Sequence, residues 1–169
     1  MQYQKILYHS IVGDLTILSD DHYIRKIEFG KAALPADTQW SDDHPILLQA
    51  ERQLLEYFAG MRQQFELPLT TNGTTFQQTV WNALRKIPYG ETMTYGQLAK
   101  IIGCPNAARA VGGSCNKNPI AIVIPCHRVV GADGKLTGFA AGISIKERLL
   151  LIEHNNKLNN VQNEHWMQK

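Results

Sequence analysis

Thr94-Tyr95-Gly96-Gln97-Leu98-Ala99-Lys100-Ile101-Ile102-Gly103-Cys104-Pro105-Asn106-Ala107-Ala108-Arg109-Ala110-Val111-Gly112-Gly113 sets the architecture of the second half of the chain. Thr94 followed by Gln97 is a capping box, and Leu98, Ala99, Ile101 and Ile102 supply the apolar residues of a short helix. Gly103-Cys104-Pro105 breaks it, and Asn106 is placed to cap a second helix over residues 107–113. Two short helices around a glycine turn predict a helix-turn-helix. The second helix is unusual for a reader of the major groove, because Arg109 is its only long polar side chain and base reading there needs several donors and acceptors. Its small residues suit close approach to the minor groove, with Arg109 free to enter the base stack. The competing reading is close helix packing with Arg109 in a salt bridge.

Downstream, the apolar run Ile120-Ala121-Ile122-Val123-Ile124 ends in Pro125-Cys126-His127-Arg128. Thiolate is the reactive form of cysteine, and a neighbouring histidine is a common way of making it. Adjacent Cys and His side chains diverge, so a water is expected between them. Glu153, the last acid of the closing helix, is the candidate to orient His127; a surface carboxylate is its other reading. Cys104, in the turn, and Cys115, at the end of the second helix, read as buried or incidental thiols. A cysteine hydrolase competes, although cysteine proteases usually draw their Cys and His from distant positions. Neither Cys-x-x-Cys nor His-x-x-x-His spacing occurs, so no metal is expected.

Upstream, Tyr3 to His9, Leu15 to Ser19 and Ile24 to Phe29 predict a β-meander. Residues 31–44 read as irregular. Pro45 opens a helix carrying Ile46, Leu47, Ala50, Leu54, Tyr57 and Phe58 inward, and Gly60 closes it. Phe65, Leu67 and Leu69 alternate as an edge strand would. Residues 1–70 thus form an acidic α/β unit with no catalytic cluster, read as scaffold. Thr70 to Thr75 links it to residues 76–155, where a helix with Phe76, Val80, Leu84 and Ile87 on one face comes first. A closing helix starts at a Ser144–Glu147 capping box and turns Ile145, Leu149 and Ile152 inward. Residues 156–169 read as a polar tail with Trp166 as anchor. Residues 1–68 hold six Lys/Arg against ten Asp/Glu, and residues 69–169 eleven against five, so only the second part suits phosphates, unless the two parts attract each other. Three cysteines, an odd number, argue against a disulfide framework and for a reducing, cytoplasmic setting. No segment predicts a membrane span or a signal peptide.

Ile124-Pro125-Cys126-His127-Arg128-Val129-Val130 resembles the active-site signature of the O6-alkylguanine-DNA alkyltransferases. The resemblance runs from about Phe76 to Glu153 and takes in Tyr95, residues 108–112, Asn118-Pro119 and Leu136-Thr137-Gly138. It implies an α/β domain with a small antiparallel sheet and a helix (ribonuclease H-like), then a mostly helical, winged-helix-like domain with the helix-turn-helix. It implies irreversible transfer of an alkyl group from O6-alkylguanine in double-stranded DNA, with O4-alkylthymine as a further candidate, onto Cys126 of a monomer without cofactor. His127 takes the thiol proton through water, and Glu153 holds His127. Arg109 fills the space of the flipped nucleotide, on a helix whose Ala107, Ala108, Ala110 and Gly112 meet DNA. Tyr95 crowds the adjoining phosphate and protonates the departing base, and Asn118 braces the turn before the strand that leads to Cys126. Carbonyls of Cys126 and Val129 accept from the base amine, and the amide of Ala140 donates to its oxygen. Phe139-Ala140-Ala141-Gly142 departs from the Tyr-Ser/Ala-Gly-Gly frequent in the family, with Phe139 lacking a hydroxyl and Ala141 adding a methyl at the pocket wall. A non-catalytic module that recognises alkylated DNA is the alternative.

Overall fold

A computed structural model describes the backbone of residues 1–167 and the side chains of residues 1–158. The meander forms β1 (Tyr3–Ser10), β2 (Gly13–Ser19) and β3 (Ile24–Phe29), antiparallel and in the order β3-β2-β1. A fourth strand, β4 (Gln39–Trp40), pairs in parallel with β1, within the segment read as irregular. Pattern could not reveal it, because the pairing is main-chain only: the amides of Gln39 and Ser41 donate to the carbonyls of Gln2 and Gln4. Helix α1 (Pro45–Phe58) packs on this sheet and buries Leu47, Ala50, Leu54 and Tyr57.

The expected edge strand at residues 65–69 is absent. Gln53 occupies both backbone groups of Glu66, its Nε2 donating to the carbonyl at 3.0 Å and its Oε1 accepting from the amide at 2.8 Å. Pro68 has no N–H to give a ladder. What remains is a single bridge beside Ile24.

The second half begins with α2 (Thr75–Leu84), started by a Thr74–Gln77 capping box; Ile87 is buried but lies beyond its end. Strand β5 (Met93–Thr94) leads into α3 (Tyr95–Ile101), and α4 is Ala108–Asn116. The Thr94–Gln97 box is present as expected. Asn106 does not cap α4: Ala107 holds the cap position without a side-chain bond, and the helix runs on to Asn116. Strand β6 (Val129–Val130) pairs in parallel with β5, tying the start of α3 to the segment after Cys126.

Helix α5 (Ile143–Met167) differs from expectation in three ways. It starts at Ile143, so Ser144 lies inside the helix and does not cap it. Its buried face is Lys146, Leu149 and Glu153, with Ile145 and Ile152 only half-buried. It also continues through the segment read as a polar tail; the side chain of Trp166 lies outside the described residues.

The two halves meet along β3, where the amide of Ile27 donates to the Pro119 carbonyl and the Ala121 amide to the Ile27 carbonyl. Among the described residues no ion pair joins residues 1–68 to the rest.

Candidate active site

The apolar run before Cys126 is buried but is not a strand. Ile122 has φ 71°, a left-handed value that a β-branched residue adopts only under strain, and the Val123 amide closes a tight turn on the Ala121 carbonyl at 2.8 Å. A second three-residue turn follows. Pro125 sits at φ −83°, ψ 64°, and the Cys126 amide donates to the Ile124 carbonyl at 2.8 Å. This inverse γ-turn delivers residues 126–128 into one turn of 3-10 helix. Asn118 braces both ends: its Oδ1 accepts from the Ile120 amide at 3.0 Å, and its Nδ2 donates to the Ile124 carbonyl at 2.7 Å. The same Nδ2 lies 3.2 Å from Cys126 Sγ, so Asn118 touches the sulfur as well as the turn.

Cys126 is 6% exposed, at a cleft of about 680 Å³. Cys115, Asn118, Phe139, Ala140 and Ala141 line the same cleft, as do Val12, Phe29 and Gly30 from the acidic half. Phe29 meets Phe139 edge to face, with ring centroids 5.9 Å apart. The part of the chain read as scaffold therefore forms one wall. Val129 does not line the cleft; it is fully buried, and its carbonyl accepts from Lys146 Nζ at 2.5 Å.

Burial pushes the Cys126 thiol up, while Asn118 and the Lys146 ammonium draw it back. The resting group is thus a thiol, not a preformed thiolate. Burial likewise pushes Cys115 up to about 12.

His127 and Glu153 are both fully buried, and His127 Nε2 stands 2.5 Å from Glu153 Oε2. His127 and Arg128, with their hydrogen bonds and charge, outweigh burial and hold the Glu153 carboxyl far below the usual carboxylate range. Glu153 is therefore ionised, the imidazole donates from Nε2, and Nδ1 is left as acceptor. That Nδ1 is buried and has no partner among the described residues. Burial lowers His127 below the usual histidine range, so the ring is neutral at pH 7. Arg128 adds Nε at 2.7 Å to Glu153 Oε1 and Nη2 at 3.2 Å to Oε2. The Gly90 amide reaches Oε1 at 3.1 Å, which its φ of 76° in the Pro88-Tyr89-Gly90 turn allows.

Tyr95 opens α3 with its ring beside Gly112 of α4 and its hydroxyl donating to the Thr137 carbonyl at 3.1 Å. Its phenol is pushed up to about 12, first by burial and then by the negative charge that Cys115 and Cys126 can carry. Lys146 Nζ reaches the same Thr137 carbonyl at 3.2 Å and lies 5.7 Å from the Tyr95 ring centroid and 5.8 Å from that of Phe139. Sequence reading missed Lys146; the signal was its spacing from Leu149 and Glu153 along one helical face.

Arg109 is exposed on α4 and makes no ion pair among the described residues. Ala110 is exposed beside it, Ala107, Ala108 and Gly112 are half-buried, and Val111, Ser114 and Cys115 face inward. The exposed face of α4 is thus small-residued around one exposed guanidinium.

Residues 4–71 match the model of the 6-O-methylguanine DNA methyltransferase ribonuclease-like domain, and residues 75–155 that of the same family's DNA-binding domain. The chain is 48% identical over 149 residues to a methylated-DNA–protein-cysteine methyltransferase of Methanosarcina acetivorans, covering 87% of this chain and 96% of that one. It is 46% identical over 145 residues to the protein of that name from Mycobacterium bovis, covering 85% and 88%. The fold resembles the crystal structure of Mycobacterium tuberculosis OGT in complex with DNA, with TM-score 0.85, 42% identity, and coverage of 91% of this chain and 94% of that one.

Proposed function

The chain belongs to the 6-O-methylguanine DNA methyltransferase family, and we propose that its repair reaction moves the alkyl group of O6-alkylguanine in duplex DNA onto Cys126 Sγ. The protein is a DNA-repair alkyltransferase. The observation that carries the assignment of the sulfur is the pair of turns and the Asn118 brace that hold Cys126 at the cleft, one residue from a neutral, Glu153-anchored histidine.

The alkyl carbon is out of reach inside a duplex, so the base leaves the stack, at a cost of a few kcal/mol. Arg109 on the small-residue face of α4 fills the gap. His127 Nδ1 takes the thiol proton through a water, and the sulfur attacks the alkyl carbon as the carbon–O6 bond breaks. The electron pair goes to guanine, which takes a proton from the Tyr95 hydroxyl. Full deprotonation of an ordinary thiol with pKa of roughly 8.5 gains about 2 kcal/mol, and more for one that burial has raised. Orientation can contribute ~7–11 kcal/mol. That ranking suits a site whose sulfur is rigidly held yet rests protonated.

We assign residues 76–155 the DNA-binding and transfer chemistry. The setting is the cytoplasm, on the chemistry of three free thiols. The product is a thioether, which no group in the site can cleave, so each molecule acts once. Duplex DNA labelled on a guanine O6-methyl tests this: the label is expected on Cys126 at one equivalent per protein, and Cys126→Ser is expected to transfer none. Label left on the DNA would identify a recognition module, and release of methanol a hydrolase.

A further inference from the structure

Tyr57 belongs to α1, in the acidic half, yet its hydroxyl donates to Glu153 Oε2 at 2.6 Å. It is fully buried, among Phe58, Phe65 and Tyr89, whose ring centroids lie 5.5, 5.4 and 6.0 Å away. The oxygen it reaches is the one that holds His127. An ionised carboxylate offers about four lone-pair directions. Glu153 receives five donor contacts: Tyr57, His127, two from Arg128, and the Gly90 amide. Three of them fall on Oε2. Tyr57 and His127 therefore compete for the same electron density.

We propose that Tyr57 is a positioning residue of the transfer site, contributed by the other half of the chain, which fixes the Glu153 carboxylate and limits its pull on the His127 imidazole. A carboxylate free to give its full charge to Nε2–H would stabilise imidazolium and leave no free acceptor at Nδ1. Sharing Oε2 with a phenol keeps the ring neutral while leaving its orientation intact. The groups facing the pair are Tyr57 from α1, Tyr89 and the Gly90 amide from the turn after α2, Arg128 beside His127, and Lys146 from α5. Of these, Tyr57 is the uncharged side chain within hydrogen-bond distance of the shared oxygen.

This inference rests on the alkyl-transfer reading, and its test keeps the two apart. Single-turnover transfer to Cys126 from an O6-methylguanine duplex is measured from about pH 5 to about pH 9 for wild type and Tyr57→Phe. Phe keeps the ring and removes the donor. The acid limb of the variant is expected to move to higher pH, so that its rate near pH 6, taken relative to its own rate near pH 8.5, falls about threefold or more below the same ratio in wild type. A merely structural Tyr57 would lower the whole profile without moving its limb. Superimposable limbs, or a uniform drop, would overturn the proposal. In full-length protein with 3-fluorotyrosine at position 57, a stronger donor of the same shape, the limb is expected to move to lower pH. No movement there also overturns it, whether or not Tyr57→Phe folds. If wild type itself places no methyl on Cys126, the transfer reading fails instead.

Discussion

Cys126 and Lys146 carry the electrostatics of the site between them. The sulfur loses its water on burial, which disfavours thiolate, and the Lys146 ammonium is the cation that opposes this. Burial pushes the ammonium down in turn. Two carbonyl acceptors, Val129 and Thr137, keep it solvated by protein. Two aromatic faces lie within the range of cation–π attraction. The same charge stands beside Tyr95, so in the proposed transfer it would accompany the negative charge from sulfur to base to phenol. Replacing Lys146 with Met keeps most of the volume and removes the charge. The expected result is a Cys126 thiol raised further, so that iodoacetamide modifies it roughly three- to tenfold more slowly at neutral pH. The pH dependence of modification, read by mass at Cys126, checks this. A titration unchanged by Lys146→Met would mean that the ammonium serves only to tie Val129 to Thr137.

Helix α4 works through what it lacks. With Ala, Gly and one exposed Arg on its outer face, it suits the proposed close approach to a DNA backbone, in which its single long side chain replaces an extruded base. Arg109→Ala is therefore expected to slow repair of duplex DNA about 10- to 100-fold, because the few kcal/mol of flipping are no longer offset. Transfer from free O6-methylguanine base should change less than about twofold. Equal losses on both substrates would take Arg109 out of the flipping step. This element was legible in the sequence because helix breakers and composition are local signals: Thr94, Gly103-Cys104-Pro105 and the alanines mark it without reference to the rest of the fold. The Cys126-His127 motif was legible for the same reason. Other parts were not, because their partners are distant along the chain. Residues 65–69 have the alternation of a strand, but a Gln53 side chain claims the backbone of Glu66. Ile120 to Ile124 have the composition of a strand, but Asn118 and Pro125 fold them into turns. On α5 the eye follows Ile145 and Ile152, whereas the buried register belongs to Lys146 and Glu153, charged residues whose partners lie on other elements.

Across the whole molecule, the carboxylate of Glu153 joins α1, the turn after α2, the Cys126 turn and α5 at one point. Catalytic geometry and global stability thus share a group, and acid should degrade both. In the folded protein Glu153 titrates far below an ordinary glutamic acid, and His127 titrates below an ordinary histidine. In each case the unfolded chain binds the proton first as pH falls. The contribution of His127 is complete above about pH 6.5 and is lost as pH falls through its lowered folded value. That of Glu153 is complete above about pH 4.3 and is lost as pH falls through its much lower folded value. Each unit of depression is worth about 1.4 kcal/mol, and both side chains are fully buried, so solvent screens little of it. The thermal midpoint is expected to decline from about pH 7 to about pH 2, more steeply below about pH 4. Glu153→Gln leaves Arg128 buried without its counter-charge, which costs about 3–5 kcal/mol at neutral pH, or about 10 °C in the midpoint. That variant no longer has the carboxylate to protonate, so its deficit against wild type should shrink as pH falls. Scanning calorimetry of both proteins across this range decides the matter: converging midpoints support a carboxylate that ties the two halves together, and parallel curves would place the origin of acid sensitivity elsewhere.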